Sequence, residues 1–483
     1  MTENPEKWPA MTLEQARGML TAPDQRFEME TVNIRGIPTR TWKQALPNMY
    51  ALAQAGRAHG DVPFIIYEDE RMSFEGWYRA TANFAQKLTE LGIKKGDRVA
   101  LCMRNLPEFP VVFFAATCIG AIIVPLNAWW TGAELAFGLT NSGSKVLVCD
   151  GSSWSRIEPE MSAIDNVEHI VVSRGGAAAS QGVETLESIL GNPNDYHKLS
   201  DVELPDLGLH PDTEATIFYT SGTTGKPKGA VGTHRNATTN VLSSGYAVAL
   251  GALRRGEIPE PPSRKIGLLV IPLFHVTACN ARLMGSIFGG HTLIFMYKWD
   301  TVKAFEIIER EKVDSTGGVP TIAWQLIEHP DREKYDLSSL ESISYGGAPA
   351  APELVRKIKE IFGAEPGSGW GMTETSATVT LHGSEDYLNR PDSCGPPVAV
   401  ADLKIMADDG VTELPTGAVG ELWARGPMIV KEYWNRPDAT AETFIDGWVR
   451  TGDLAKLDEE GFCFIVDRAK DIIIRGGENI YSS

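Results

Sequence analysis

Tyr219-Thr-Ser-Gly-Thr-Thr-Gly-Lys-Pro-Lys-Gly229 follows the apolar run Ala215–Tyr219 and crowds hydroxyls, glycines and lysines into one turn. Glycine lets backbone N–H groups approach an anion closely, a hydroxyl adds a donor and a lysine adds charge. A turn of this composition directly after a strand is built to grip phosphate. A Walker-type loop requires Gly-x-x-x-x-Gly-Lys-Ser/Thr; here Lys226 precedes Pro227 and the glycine spacing is short, which disfavours that reading. A flexible Gly/Ser/Thr linker would have no use for two lysines and a proline in the same run.

Outward from this turn, short β-rich runs alternate with helical stretches. Arg98–Met103, Lys145–Asp150, His169–Ser173, Ala215–Tyr219, Lys265–Pro272, His291–Phe295 and Ser342–Tyr345 read as strands. The rhythm predicts an α/β fold with largely parallel sheets. Thr131-Gly-Ala-Glu134 is a capping box for a helix that Asn141-Ser-Gly143 closes, and Ser73 caps another ending near Gly92. Val111–Leu126 is too short for a membrane span and contains Gly120 and Pro125, so it reads as a buried helix running into a strand. After Pro391 the texture changes to short strands, Asp402–Met406, Val419–Ala424 and Phe462–Val466, separated by Gly-containing turns.

The 483 residues, 43% hydrophobic and 22% charged, describe an ordinary globular protein long enough for several packed subdomains. Lys plus Arg total 45 against 63 Asp plus Glu, a net charge of −18. That field opposes nucleic acid and anionic lipid, so an anionic substrate must meet locally placed donors. Cys102, Cys118, Cys149, Cys279, Cys394 and Cys463 lie far apart without a C-x-x-C pair or secretory leader; they read as buried small hydrophobes in a reducing cytoplasm.

The phosphate turn resembles the signature loop of the adenylate-forming superfamily: acyl-CoA synthetases, luciferases and peptide-synthetase adenylation domains. In the order that family requires, the chain also carries Pro272-Leu-Phe-His275, Gly346-Gly-Ala-Pro349, Gly369-Trp-Gly-Met-Thr-Glu374, Thr451-Gly-Asp453 and Asp467-Arg-Ala-Lys-Asp471. The resemblance implies the large N-terminal domain of that fold, with two parallel-rich α/β subdomains and a small distorted β-barrel. Residues 1–390 would bind ATP and acyl group, 391–467 would form the β-rich part, and 468–483 would be the hinge and the opening of an otherwise absent C-terminal α+β domain.

Roles carry over by the same resemblance. Thr220, Ser221, Gly222, Thr223, Thr224, Gly225 and Lys228 would hold the ATP phosphates. Glu374, with Thr220, would ligate Mg²⁺, and Thr373 would donate to the α-phosphate. Gly346, Gly347 and Ala348 would line one side of adenine and Gly369, Trp370, Gly371 and Met372 the other, Trp370 replacing the more usual Tyr. Asp453 and Arg468 would bind the ribose, with Ile465 near the nucleotide, and Lys470 would be the hinge. His275 would position the substrate carboxylate. Val276, Thr277, Cys279, Asn280, Gly317, Gly318, Tyr345 and Gly346 would line the acyl site, the small ones leaving room for an apolar tail.

The implied activity is AMP-forming ligation of a carboxylic acid to coenzyme A through an acyl-adenylate. An amino acid is disfavoured because His275 stands where an adenylation domain places an ammonium-binding aspartate. Medium- to long-chain fatty acids come first and aromatic acids second. Other enzymes on the same fold, and a non-catalytic nucleotide-binding protein, are the competing expectations. The missing lysine-bearing C-terminal domain implies slow adenylation and poor thioester formation. Dimers are common among similar synthetases.

Overall fold

The computed structural model describes residues 8–175, 183–220, 227–261, 263–347, 350–468, 472–475 and 478–481, the last residues from 468 onward through their backbone alone. A first sheet orders its strands Glu432–Tyr433, Lys228–Thr233, Glu214–Thr220, Ile122–Pro125, Arg98–Cys102, Val146–Asp150, His169–Ser173 and Glu184–Thr185. It is parallel from Glu214–Thr220 onward; the first three strands pair antiparallel. A second sheet orders Thr380–Gly383, Glu365–Trp370, Ser342–Tyr345, Ser315–Gly318, Ile266–Leu269, Thr292–Phe295, Pro63–Tyr67 and Glu70–Ser73, with antiparallel strands only at its edges.

Both sheets are covered on both faces, which is why strands such as Ile122–Pro125 and Val146–Asp150 read as nearly unbroken apolar runs. Val99 and Leu101 point into one core and Ala100 and Cys102 into another, the period-2 alternation of a pleated strand. The core that receives Val99 also receives Phe64 and Leu293 of the second sheet, so helices Phe74–Glu90 and Glu108–Cys118 fill a layer shared by both sheets. Every residue of Glu108–Cys118 is buried, and the chain runs on into the buried strand Ile122–Pro125, as Val111–Leu126 predicted. On the far face of the second sheet, helices Thr301–Glu311, Pro320–Glu328 and Pro352–Phe362 pack against Leu268, Ile294 and Ile343.

The capping signals hold. Thr131 and Glu134 form a reciprocal box at Gly132–Ser142, which ends on Gly143 at φ 62°, and Ser73 accepts from the Gly76 N–H at the start of its helix. One expected strand is shorter than its apolar run: it ends at Leu269, and the chain then turns, with the His275 N–H donating to the Pro272 carbonyl at 3.0 Å. Pro272 has no N–H to extend the ladder.

The third sheet is antiparallel, built from Asp402–Met406, Gly420–Arg425, Phe444–Ile445, Trp448–Leu457 and Cys463–Arg468. Register breaks at Glu421/Trp423 and Leu454/Ala455 bend it. The expected barrel is an open, curled half-barrel. Five of the cysteines are buried and Cys394 partly so. No helix among the described residues is long and apolar enough to cross a membrane.

Candidate active site

The parallel strands of the second sheet run in register, Gly318 beside Tyr345 and Tyr345 beside Ser368, so their carboxyl ends share one edge. From that edge emerge the loops carrying His275, Gly346–Gly347 and Trp370–Glu374. Such an edge is where open α/β sheets bind ligands. Buried Asn105, just past a first-sheet strand, ties the His275 loop down: its amide donates to the Ile271 carbonyl at 3.0 Å and accepts from the Leu273 N–H at 2.8 Å.

The phosphate turn closes an antiparallel hairpin in which Thr220 pairs with Lys228 and Tyr219 with Gly229. The sequence placed Lys228 in a loop; it opens the returning strand. Tyr219 anchors the base of the turn, its hydroxyl donating to Asn141 Oδ1 at 2.7 Å and its ring against Trp130. Ser221, Gly222, Thr223, Thr224 and Gly225 lie outside the described residues.

Beyond the hairpin, Tyr433 pairs with Ala230 and brings two predicted groups together. Its hydroxyl donates to Glu374 Oε1 at 2.5 Å, and the Lys228 Nζ stands 4.2 Å from its ring centroid. Glu374 and Tyr433 are both buried. The Val430 N–H donates to the Glu374 carbonyl at 3.0 Å, so the same segment fixes the backbone of the acid.

The Trp370–Glu374 loop folds back on itself. A Cβ on Gly371 would sit 1.4 Å from the Ala377 carbonyl oxygen, and Ala377 itself takes φ 98°, a strained value for a residue with a side chain. Met372 N–H donates to Thr375 Oγ1 at 2.9 Å, and Thr373 is half-buried ahead of Glu374. Gly346 lies against this loop, its Cβ position 3.4 Å from the Gly369 carbonyl, and Gly347 takes φ 76°. Ala348 lies outside the described residues.

Trp370 does more than its predicted stacking role requires. Its indole N–H donates to Asp453 Oδ2 at 2.8 Å, joining the second sheet to the third, while its ring packs beside Leu403. Asp453 is buried and faces Arg468 in strand register; Ile465 packs on the same small core. Lys470 and the side chain of Arg468 lie outside the described residues.

His275 is held neutral, its pKa lowered to about 4 by burial. Its ring is 4.7 Å from Phe274 and 6.4 Å from Trp129, an aromatic that sequence reading passed over. Val276 is buried and Thr277 exposed. Cys279 is enclosed in the main core, and the Asn280 amide donates to the Ser376 carbonyl at 3.4 Å. The small residues do not hold open space. A Cβ on Gly317 would meet the Ser344 carbonyl at 1.9 Å, and one on Gly318 would meet Ile322 at 2.7 Å. These glycines permit close strand and helix packing. Tyr345 is buried 5.9 Å from Tyr387.

The AMP-binding enzyme family matches residues 52–434 of this sequence. The chain belongs to that family. Among relatives of this AMP-binding enzyme, the long-chain-fatty-acid–CoA ligase FadD13 of Mycobacterium tuberculosis is 35% identical over 413 residues, spanning 86% of this chain and 76% of the relative. A feruloyl-CoA synthase of Amycolatopsis sp. is 33% identical over 403 residues, 83% of this chain and 74% of the relative. Among solved structures, the N-terminal domain of FACL13 from M. tuberculosis aligns with a TM-score of 0.74 at 30% identity, covering 88% of this chain and all of that one. The o-succinylbenzoate CoA synthetase of Bacillus subtilis, in complex with its acyl-adenylate intermediate, aligns at 0.71 and 29% identity, covering 91% and 81%. The enzyme is an adenylate-forming acyl-CoA synthetase, with ATP, an acid and CoA as the substrates of its class.

Proposed function

We propose that this enzyme activates a medium- to long-chain fatty acid as its acyl-adenylate and passes the acyl group to CoA. The observation carrying this reading is the meeting of Lys228, Tyr433 and Glu374, together with the pair that Trp370, on the same loop as Glu374, makes with Asp453. A carboxylate resists thiol attack because its charge repels the nucleophile and oxide leaves poorly. Attack of that carboxylate on the α-phosphorus of ATP releases pyrophosphate and makes AMP the leaving group. Negative charge gathers on the phosphoryl oxygens as this happens, so preplaced donors lower the barrier.

Lys228 supplies a fixed cation to the phosphates, and Thr373 donates to the α-phosphate. Asp453 accepts from the ribose hydroxyls, aided by Arg468, and Trp370 stacks on adenine. His275, neutral near pH 7, positions the carboxylate without contributing charge. Lys470 serves as the hinge between the two half-reactions. Glu374 suits Mg²⁺: it is a hard oxygen donor, and among the described residues no three His, Cys, Asp or Glu side chains group to hold a metal by themselves. That fits a cation held by one carboxylate plus substrate phosphates, which when bound would offset phosphate charge.

The fatty-acid reading draws on the FadD13 similarity. An aromatic acid is the second reading, favoured by the Trp129–Phe274–His275 ring cluster and the feruloyl-CoA synthase similarity. Pyrophosphate release and CoA-dependent AMP formation, measured with octanoate, palmitate, ferulate and phenylalanine, test both. Palmitate or octanoate should give the highest kcat/KM. Preference for phenylalanine, or no acid-dependent pyrophosphate, would overturn the proposal.

A further inference from the structure

Tyr433 has no role in the assignments above, yet its side chain touches both the phosphate hairpin and the metal-site acid. Its backbone is clamped to the hairpin: Lys431 N–H donates to the Val231 carbonyl at 2.8 Å and Trp434 N–H to the Gly229 carbonyl at 2.7 Å. Tyr433 N–H itself donates to Thr440 Oγ1 at 3.0 Å, and Phe444 backs its ring at 5.4 Å between centroids. With backbone and ring face both fixed, the hydroxyl has one place to point, and Glu374 Oε1 is there at 2.5 Å.

A hydroxyl donating to a buried carboxylate makes a charge-assisted bond, shorter and stronger than one between neutral groups. The bond occupies one carboxylate oxygen and freezes the side-chain torsions of a flexible glutamate, so Oε2 is the atom left to meet a cation. The ring face of the same phenol works differently: the Lys228 ammonium sits 4.2 Å from the ring centroid, within range of the attraction between a cation and the negative face of an aromatic. One rigid side chain therefore sets where a positive and a negative group stand relative to each other.

We propose that Tyr433 is a positioning residue for the metal–triphosphate pair, its hydroxyl fixing Glu374 for the cation and its ring holding Lys228 for the phosphates. This rests on the adenylate-forming reading and adds to it a residue on which metal affinity depends. The two functions separate chemically. Tyr433→Phe removes the donor and keeps the ring; Tyr433→Leu removes both.

The test measures Mn²⁺ binding by electron paramagnetic resonance in the presence of a non-hydrolysable ATP analogue, and binding of that analogue without metal. Tyr433→Phe should weaken Mn²⁺ about tenfold, the scale of one lost hydrogen bond to a charged group, and leave metal-free analogue binding within about twofold, because the contact with Lys228 survives. Tyr433→Leu should weaken both. In turnover, Tyr433→Phe should raise the half-saturating Mg²⁺ concentration while kcat recovers in excess Mg²⁺, since the ligand itself is intact. A merely structural tyrosine would lower metal-free and metal-bound binding together and would not be rescued by Mg²⁺. That outcome, or wild-type Mn²⁺ affinity in Tyr433→Phe, overturns the inference while leaving the enzyme assignment standing. A wild-type protein that binds neither the analogue nor Mn²⁺ sinks the adenylate-forming reading along with it.

Discussion

Replacing Trp370 by Phe keeps an aromatic face for adenine and deletes the indole N–H that reaches Asp453 Oδ2 at 2.8 Å. Asp453 is 3% exposed, so water is a poor substitute for the lost donor. A hydrogen bond to a charged group contributes about 1.5–3 kcal/mol, and that is the expected loss of unfolding free energy in the ligand-free variant. Binding feels a smaller share, because the ribose hydroxyls bring donors of their own. What binding must now supply is the immobilisation of a carboxylate that the indole previously held, about 1 kcal/mol for one side chain. At 1.4 kcal/mol per tenfold, AMP affinity should fall roughly fivefold. Urea unfolding gives the first number and isothermal titration with AMP the second. The discriminating ligand is 2′,3′-dideoxy-AMP, which lacks the diol that Asp453 would accept from; its affinity should be nearly unchanged by Trp370→Phe. An equal loss for AMP and the dideoxy nucleotide would refute the idea that Trp370 aims Asp453 at the ribose.

Two further outcomes follow from the geometry. Gly371→Ala places a Cβ 1.4 Å from the Ala377 carbonyl oxygen, a backbone contact that cannot relax by a rotamer change; the turn bearing Glu374 must move, and Mg²⁺-dependent nucleotide binding measured by fluorescence should fall at least about tenfold. Stability should also decline on acidification: burial lowers the pKa of His234 to about 4 and of His382 to about 3, whereas an unfolded histidine takes up its proton near 6.5. The unfolded chain thus binds more protons below pH 6.5, and stability is lost as pH falls from there towards 4. Buried Glu108 and Asp386 and half-buried Asp314, raised by desolvation, act in the opposite sense, so the clean measurement is a difference. Between pH 7 and 5.5 the wild type should lose about 1.2 kcal/mol more than His382→Gln, and parallel stability–pH curves for the two proteins would contradict it.

The parts of this fold legible in the sequence are those set by local physics. His169–Ser173, Ser342–Tyr345 and Asp402–Met406 form strands with the bounds their apolar or alternating runs predict, and Thr131/Glu134 caps the helix it announces. Parallel strands buried on both faces, such as Val146–Asp150, carry a strong signal because nearly every position is apolar. Glu432–Tyr433 carries none: it is two residues long, and its pairing with Ala230–Val231 is decided by tertiary contact. Tyr433 was accordingly invisible, since nothing in Lys-Glu-Tyr-Trp434 points to an acid 59 residues earlier. Trp370 was legible as an aromatic but not as a donor. An indole carries its proton at the edge of the ring, and here that donor reaches a residue 83 positions away, which no local pattern announces.

The same distinction explains how the site stays assembled when its members come from different sheets. Lys228 belongs to the first, Glu374 follows a strand of the second and Asp453 lies in the third. Helix His234–Arg254 touches all three neighbourhoods through buried polar side chains. Asn236 donates to the Pro427 and Ile429 carbonyls at 2.7 and 3.0 Å, close to the segment that bears Tyr433. Asn240 donates to the Ser376 carbonyl at 2.8 Å and accepts from the Thr378 N–H at 3.0 Å, fixing the turn after Glu374. Arg254, wholly buried, grips Asp386 at 2.8 Å and reaches Glu460 at 3.4 Å. An apolar helix could pack here with similar energy but in several rotations and shifts. Buried amides and an arginine, whose polar groups each cost about 1–3 kcal/mol when left unpaired, favour the placement in which these bonds form. The helix contributes no group to the proposed reaction, yet through these bonds it ties together the segments that lead to Tyr433, follow Glu374 and carry Glu460.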